Sequence, residues 1–144
     1  MEKAQTMVAA YAEAGFTKIH LDASMSCADD PTSLPGPIIA ERAAALAAVA
    51  ERHSHGRILS FVIGTEVPVP GGATEHVESL DRTEPTDAAE TVFEHRRAFD
   101  AAGIESAFER VVALVVQPGV EFGHDTWSCM PRTRRAPCRR CVMI

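Results

Sequence analysis

The sequence predicts an α/β fold built on parallel strands, and three observations carry that prediction. Helix, strand and polar loop recur in that order at intervals of roughly 45 residues, the pattern of βαβ units. The strand candidates include short apolar runs, Ile58 to Ile63 and Val111 to Val116, of the kind buried on both faces of a parallel sheet. Each strand also ends in a polar loop that brings a carboxylate, in order Asp22, Glu66 and Glu121. Crossovers between parallel strands are right-handed in about 98% of cases, which leaves an open doubly wound sheet or part of a closed barrel. In either one, chemistry belongs at the strand C-termini.

The first helix is expected over residues 4 to 14, where Met7, Val8, Tyr11 and Ala14 share one face and Gly15 closes the last turn. A strand follows over Phe16 to Ala23 and places Asp22 at its tip. Cys27 to Pro37 reads as a loop, with Pro37 in the first turn of an alanine-rich helix that runs from Ile38 to His53. Gly56 ends that unit, and the strand Ile58 to Ile63 leads into Gly64-Thr65-Glu66. After a loop with two prolines and paired glycines, Thr86 or Asp87 caps a helix over Ala88 to Ala102, and Gly103 terminates it. The third strand is Val111 to Val116, ending in Gln117-Pro118-Gly119-Val120-Glu121.

Composition narrows the function classes. At 144 residues, with 46% hydrophobic and 24% charged residues, the chain is typical of an ordered globular domain. Residues 128–144 hold five arginines and no acid, so the first 127 residues carry a formal charge of −11. A body that acidic repels phosphodiester backbones and lacks the basic stripe with interleaved aromatics of a nucleic-acid groove, so nucleic acid is not an expected partner. Apolar stretches such as Ala43 to Ala50 fall far short of the ~20 residues that span a bilayer, so no membrane association is expected. The first residues have no basic region followed by an apolar run, and the expected location is the cytoplasm.

Three stretches carry a family resemblance: Lys18-Ile19-His20-Leu21-Asp22-Ala23-Ser24-Met25-Ser26-Cys27, Ile63-Gly64-Thr65-Glu66-Val67-Pro68-Val69-Pro70-Gly71-Gly72-Ala73, and Val115-Val116-Gln117-Pro118-Gly119-Val120-Glu121-Phe122. Together they resemble the non-catalytic, accessory subunit family of class II D-tagatose-1,6-bisphosphate aldolase, the GatZ/KbaZ type, over about residues 4–127. The resemblance implies a partial (β/α)₈ TIM-barrel segment of about three parallel strands, the remaining strands falling before residue 1 and after the last strand here. It implies a role in carbohydrate metabolism, stabilising a catalytic tagatose-bisphosphate aldolase subunit, with a phosphosugar as possible ligand. Relatives of that family include metal-dependent ketose-phosphate epimerases, so the alternative is an epimerase or aldolase in its own right. An older kinase name for the family finds no phosphate-loop signature here.

Catalytic class II aldolases end one strand in Ile-Asp-Xaa-Ser and the next in Glu, followed five residues later by a Gly-Gly loop. This chain keeps that spacing in Asp22-Ala23-Ser24, Glu66 and Gly71-Gly72. It departs at the following strand, where a zinc-binding His is replaced by Glu121, which puts a lyase site in doubt. The resemblance therefore offers Asp22, Glu66 and Glu75 as catalytic candidates, the last because such aldolases carry an acid in the corresponding loop.

Asp22, Glu66 and Glu121, with His124, could converge on a divalent cation. Carboxylates suit Mg²⁺ or Mn²⁺, and an imidazole shifts preference toward Zn²⁺ or Mn²⁺. The same acids could equally cap helices or tie loops. Ser24, Gly71 and Gly72 are candidates for phosphate or substrate binding, the glycines because backbone N–H groups can approach an anion there, although a loop needing positive φ explains the pair as well. His20 points away from Ile19 and Leu21, toward a substrate or into a polar niche, while His53, His55, His76 and His95 read as solvated.

The chain divides into a barrel segment, residues 1–127, and a tail, 128–144, rich in Cys and Arg. Cys138-Arg139-Arg140-Cys141 has a CxxC spacing, but zinc needs four ligands and no second pair is placed to complete the set. The tail is expected to be disordered or out of frame.

Overall fold

A computed structural model describes residues 1–31, 34–64, 83–117, 120–122 and 127–129. The elements in chain order are α1 (Glu2–Glu13), β1 (Lys18–His20), α2 (Gly36–His53), β2 (Ser60–Ile63), α3 (Pro85–Ala101), α4 (Glu105–Phe108), β3 (Val111–Leu114), β4 (Val120–Phe122) and β5 (Trp127–Cys129). β1, β2 and β3 form a parallel sheet in that order, with Lys18 opposite Ser60, Ile19 opposite Phe61 and His20 opposite Val62. β4 and β5 pair antiparallel as a separate two-stranded unit.

Strand alternation decides which side of the sheet the helices cover. Ile19, Leu21, Phe61 and Ile63 share one buried cluster with Val8 and Ala12 of α1, the alanines of α2 and Phe99 of α3. All three long helices therefore lie on one face. Consecutive strands in order, with every connecting helix on the same side, are the winding of a (β/α)₈-barrel segment.

α2 is the central helix of this layer. Ala40, Ala43, Ala47 and Ala50 are wholly buried, and their small side chains let α1 and α3 pack closely on either side of it. α3 presents Thr91, His95 and Phe99, one turn apart, as its buried stripe. The Phe99 ring meets Phe61 edge-on at 6.4 Å and Phe108 at 5.6 Å, so α3, β2 and the short α4 share one aromatic contact.

The helix ends follow the chemistry expected of them, with one correction. Gly15 (φ 95°) and Gly103 (φ 69°) take the left-handed backbone that ends α1 and α3. The cap of α3 is Glu84 rather than Thr86 or Asp87. The Glu84 N–H donates to Asp87 Oδ2 at 3.3 Å, and the two residues form a reciprocal capping box. Pro85 takes up the first helical position and moves the start upstream. The last carbonyls of α1, on Ala12 and Glu13, accept hydrogen bonds from the Arg57 guanidinium.

At the N-terminal ends of the strands, Arg110 donates to both oxygens of Glu51 at 2.8 Å and to the Leu59 carbonyl at 2.7 Å, tying α2 to the starts of β2 and β3. β3 is less regular than an apolar run suggests. Phe61 pairs with Val111 but Val62 pairs with Ala113, so Val112 is an extra residue in the ladder and stands 62% exposed.

Candidate functional site

The C-terminal ends of the three parallel strands lie side by side, at Leu21-Asp22, at Gly64 and at Val115–Gln117. They stay in register beyond the strands themselves. The Leu21 N–H donates to the Val62 carbonyl at 2.9 Å, and the Val115 N–H to the Ile63 carbonyl at 2.8 Å. Leu21 is buried against the helices, which turns exposed Asp22 to the sheet's other face. Asp22 Oδ1 accepts a hydrogen bond from the Ser24 hydroxyl at 3.1 Å and a longer one, 3.5 Å, from the Ser24 N–H. These two sequence candidates are thus brought together, and the turn holds the carboxylate at the strand tip.

Behind that turn the β1–α2 loop is clamped to the helix that follows it. Arg42 Nη2 and Nη1 donate to Asp30 Oδ1 at 2.7 Å and Oδ2 at 2.8 Å, a two-pronged pair that a planar guanidinium forms and an ammonium does not. Oδ2 also accepts from the Cys27 N–H at 2.7 Å, and the Ser26 hydroxyl donates to the Pro31 carbonyl at 2.8 Å. The Arg42 hydrogen bonds, followed by that of the Cys27 N–H, hold the Asp30 carboxyl far below its ordinary range, so it stays ionised. Sequence reading missed this clamp because its partners lie 12 residues apart on different elements. The lone Arg42 on the apolar face of an alanine-rich helix was the available signal.

Of the remaining candidates, Glu66, Glu75, Gly71, Gly72 and His124 lie outside the described residues. Glu121 is placed by its backbone in β4, opposite Ser128. Among the described residues no group of three or more His, Cys, Asp or Glu side chains is arranged to hold a metal. The CxxC pair lies outside the described residues, as do positions 130–144, while β5 spans Trp127–Cys129.

Two hollows lie beside the helical layer. One, of about 390 Å³, runs along β3 and is lined mainly by Ile63, Val92, Phe108, Val111 and Leu114. The other, of about 350 Å³, sits where α2 begins beside α3 and carries Asp87, Glu90 and Glu94. Burial, and then the neighbouring Glu90, push the Glu94 carboxyl upward. Neither hollow is lined by Asp22 or Ser24.

The histidines divide differently from the sequence reading. His53 pairs with Glu13 at 2.7 Å and His55 is exposed, as expected, whereas His76 lies outside the described residues. His95 is a correction, since it is fully buried on the inner stripe of α3 with its Nδ1 2.8 Å from the Thr91 carbonyl oxygen. Its polarity suggests solvent, but its one-turn spacing from Thr91 and Phe99 commits it to the core.

Comparison with known proteins agrees with this architecture. The chain is 54% identical over 127 residues to the D-tagatose-1,6-bisphosphate aldolase subunit GatZ of Klebsiella oxytoca, an alignment covering 86% of the chain and 30% of that protein. It is 53% identical over the same length to the protein of that name from Salmonella enteritidis PT4, again covering 86% and 30%. The chain thus spans about 30% of the length of the curated relatives it matches. Among solved structures, a probable tagatose 6 phosphate kinase from Sinorhizobium meliloti 1021 superposes with a TM-score of 0.72 at 50% identity, covering 88% of this chain and 29% of that one. Residues 1–142 match the family model described as D-tagatose-1,6-bisphosphate aldolase subunit GatZ/KbaZ-like, and the chain belongs to that family.

Proposed function

We propose that this chain contributes to an accessory subunit of class II D-tagatose-1,6-bisphosphate aldolase, where it supports a catalytic partner subunit in the cytoplasm. The observation that carries this reading is the 54% identity, sustained over 127 residues, to a protein named D-tagatose-1,6-bisphosphate aldolase subunit GatZ. Among the described residues no helix is long and apolar enough to cross a membrane.

A second reading is favoured by one feature, the Asp22 carboxylate held at a strand tip by Ser24. In that reading the protein is itself a metal-dependent ketose-phosphate epimerase or aldolase. Asp22 and Glu66, with Glu121 and His124, would hold Zn²⁺, Mn²⁺ or Mg²⁺, a cation of the kind that stabilises an enediolate. Glu75 would serve as acid or base, and Ser24, Gly71 and Gly72 would face the phosphosugar.

One experiment separates the two. The chain and its Asp22→Ala variant are each co-expressed with a catalytic tagatose-bisphosphate aldolase subunit, and the persistence of aldolase activity on warming is followed. An accessory role predicts that both forms prolong activity equally. Failure of the unsubstituted chain to prolong it overturns that role. Turnover by the chain alone that vanishes in Asp22→Ala establishes the second reading.

A further inference from the structure

We propose that residues 26–31 form a hinged strap, a preformed turn that Arg42 fastens to α2 through Asp30. Releasing Arg42 frees this turn as a whole while the helices and the parallel sheet keep their packing. The strap lies in the loop between β1 and α2, just past the strand tip at Asp22 and Ser24, and it is independent of the accessory role.

Apolar burial does not hold this turn. Ser26, Cys27, Ala28, Asp29 and Pro31 are exposed, and Met25 beside them stands 60% exposed. Among the described residues between Leu21 and Leu34 none is buried. A segment with so little buried surface belongs to the part of a fold that opens locally, unless polar contacts fix it. Its neighbours are held separately, Ser24 by its hydrogen bond to Asp22 and Leu34 by burial.

The polar contacts are of two kinds. Within the turn, the Ser26 hydroxyl donates to the Pro31 carbonyl at 2.8 Å, the Cys27 N–H to Asp30 Oδ2 at 2.7 Å and the Asp30 N–H to the Cys27 carbonyl at 3.0 Å. These bonds have both partners inside the turn, so they persist when it moves as a body. The second kind crosses to α2, where the Arg42 guanidinium grips both Asp30 oxygens. Asp30 therefore both closes the turn and receives its fastening. The Arg42 and Asp30 side chains are 19% and 15% exposed, so water and salt weaken this pair less than the outlying Arg96–Glu109 pair, at 56% and 67%.

The test compares the ¹⁵N-labelled 144-residue chain with Arg42→Met, which keeps an apolar stem on α2 and loses the fork, and with Arg42→Lys. Backbone order parameters and amide exchange are read by nuclear magnetic resonance. In the unsubstituted chain Ser26, Cys27 and Asp30 are expected to be as ordered as α2, at about 0.85. In Arg42→Met they fall together below about 0.6, while Ala43, Ala47 and Phe61 stay ordered and the Asp30 amide keeps its protection. Arg42→Lys lies between, because an ammonium does not grip both oxygens. Unchanged order at residues 26–31 in Arg42→Met overturns the proposal, since the turn is then held without Arg42. Loss of order that spreads through α2 and β2 in both variants overturns it as well, because Arg42 then supports the whole fold. Loss of protection at the Asp30 amide does so too, since the turn would not outlast its fastening.

Discussion

Thr83 and Gln117 exchange two hydrogen bonds: the Gln117 N–H donates to Thr83 Oγ1 at 2.7 Å, and the Thr83 N–H donates to the Gln117 carbonyl at 2.9 Å. The pair fastens the chain just before α3 to the end of β3, so Thr83 lies at the strand-tip end of the sheet. Replacing the hydroxyl by a methyl of similar shape removes the acceptor and deprives the Gln117 N–H of that bond. Thr83→Val is expected to cost about 1 kcal/mol and Thr83→Ser much less, measured by urea unfolding.

Arg110 and Glu51 hold the opposite end of the sheet together. Their side chains are 26% and 28% exposed, and Arg110 also serves the Leu59 carbonyl. Arg110→Ala would leave a half-buried carboxylate and a main-chain acceptor without this donor. Partial exposure screens the loss, so the expected destabilisation is about 1–3 kcal/mol. Arg110→Lys should recover only part of it, because an ammonium cannot span both Glu51 oxygens. Chemical denaturation of the two variants gives the comparison.

His95 makes stability depend on pH. Burial is the main cause holding its imidazole below the ordinary value of 6.5, with the hydrogen bond to the Thr91 carbonyl opposing. The unfolded chain therefore binds a proton in a range where the folded chain does not. The stabilisation is present in full above about pH 6.5 and is lost as pH falls below that value. Melting temperatures between about pH 7 and pH 5 should fall for the native sequence more steeply than for His95→Leu. Parallel curves would show that His95 is not the titrating group.

Gly64 is required by close approach. A Cβ at this position would lie 2.8 Å from Val115 Cβ and 3.3 Å from the Val115 carbonyl oxygen, and neither atom can move without moving β3. Gly64→Ala is expected to destabilise by about 1–3 kcal/mol. The smaller side chain of a paired Val115→Ala substitution still carries a Cβ, so it should not rescue the variant. Thermal unfolding of the single and double variants decides this.

Much of the fold was legible because it rests on local rules. Apolar spacing of three and four placed α1, α2 and α3 within a few residues of their observed bounds, and glycines marked the ends of α1 and α3 where φ is positive. The departures share a cause. Glu84 displaced Thr86 and Asp87 as the α3 cap because Pro85 shifted the first turn, and β3 gained a bulge because its register is set by β2 and not by its own run of valines. Neither α4 nor the β4–β5 hairpin carries enough residues for periodicity to reveal it.

The sequence by itself determined the order of helices and strands, the placement of Asp22 and Ser24 at a strand end, and the acidic balance of the first 127 residues. Each of these depends only on a residue and its near neighbours along the chain. Tertiary structure decided the rest. His95 entered the core because it lies on the buried stripe of α3 with Thr91 and Phe99, which outweighs its polarity, and Arg42 found Asp30 because the β1–α2 loop folds back on its own helix. That Ile19, Leu21, Phe61 and Ile63 share one covered face emerged only when all three long helices proved to lie on it. Which face is covered is a property of neighbouring elements, and single-strand alternation cannot encode it.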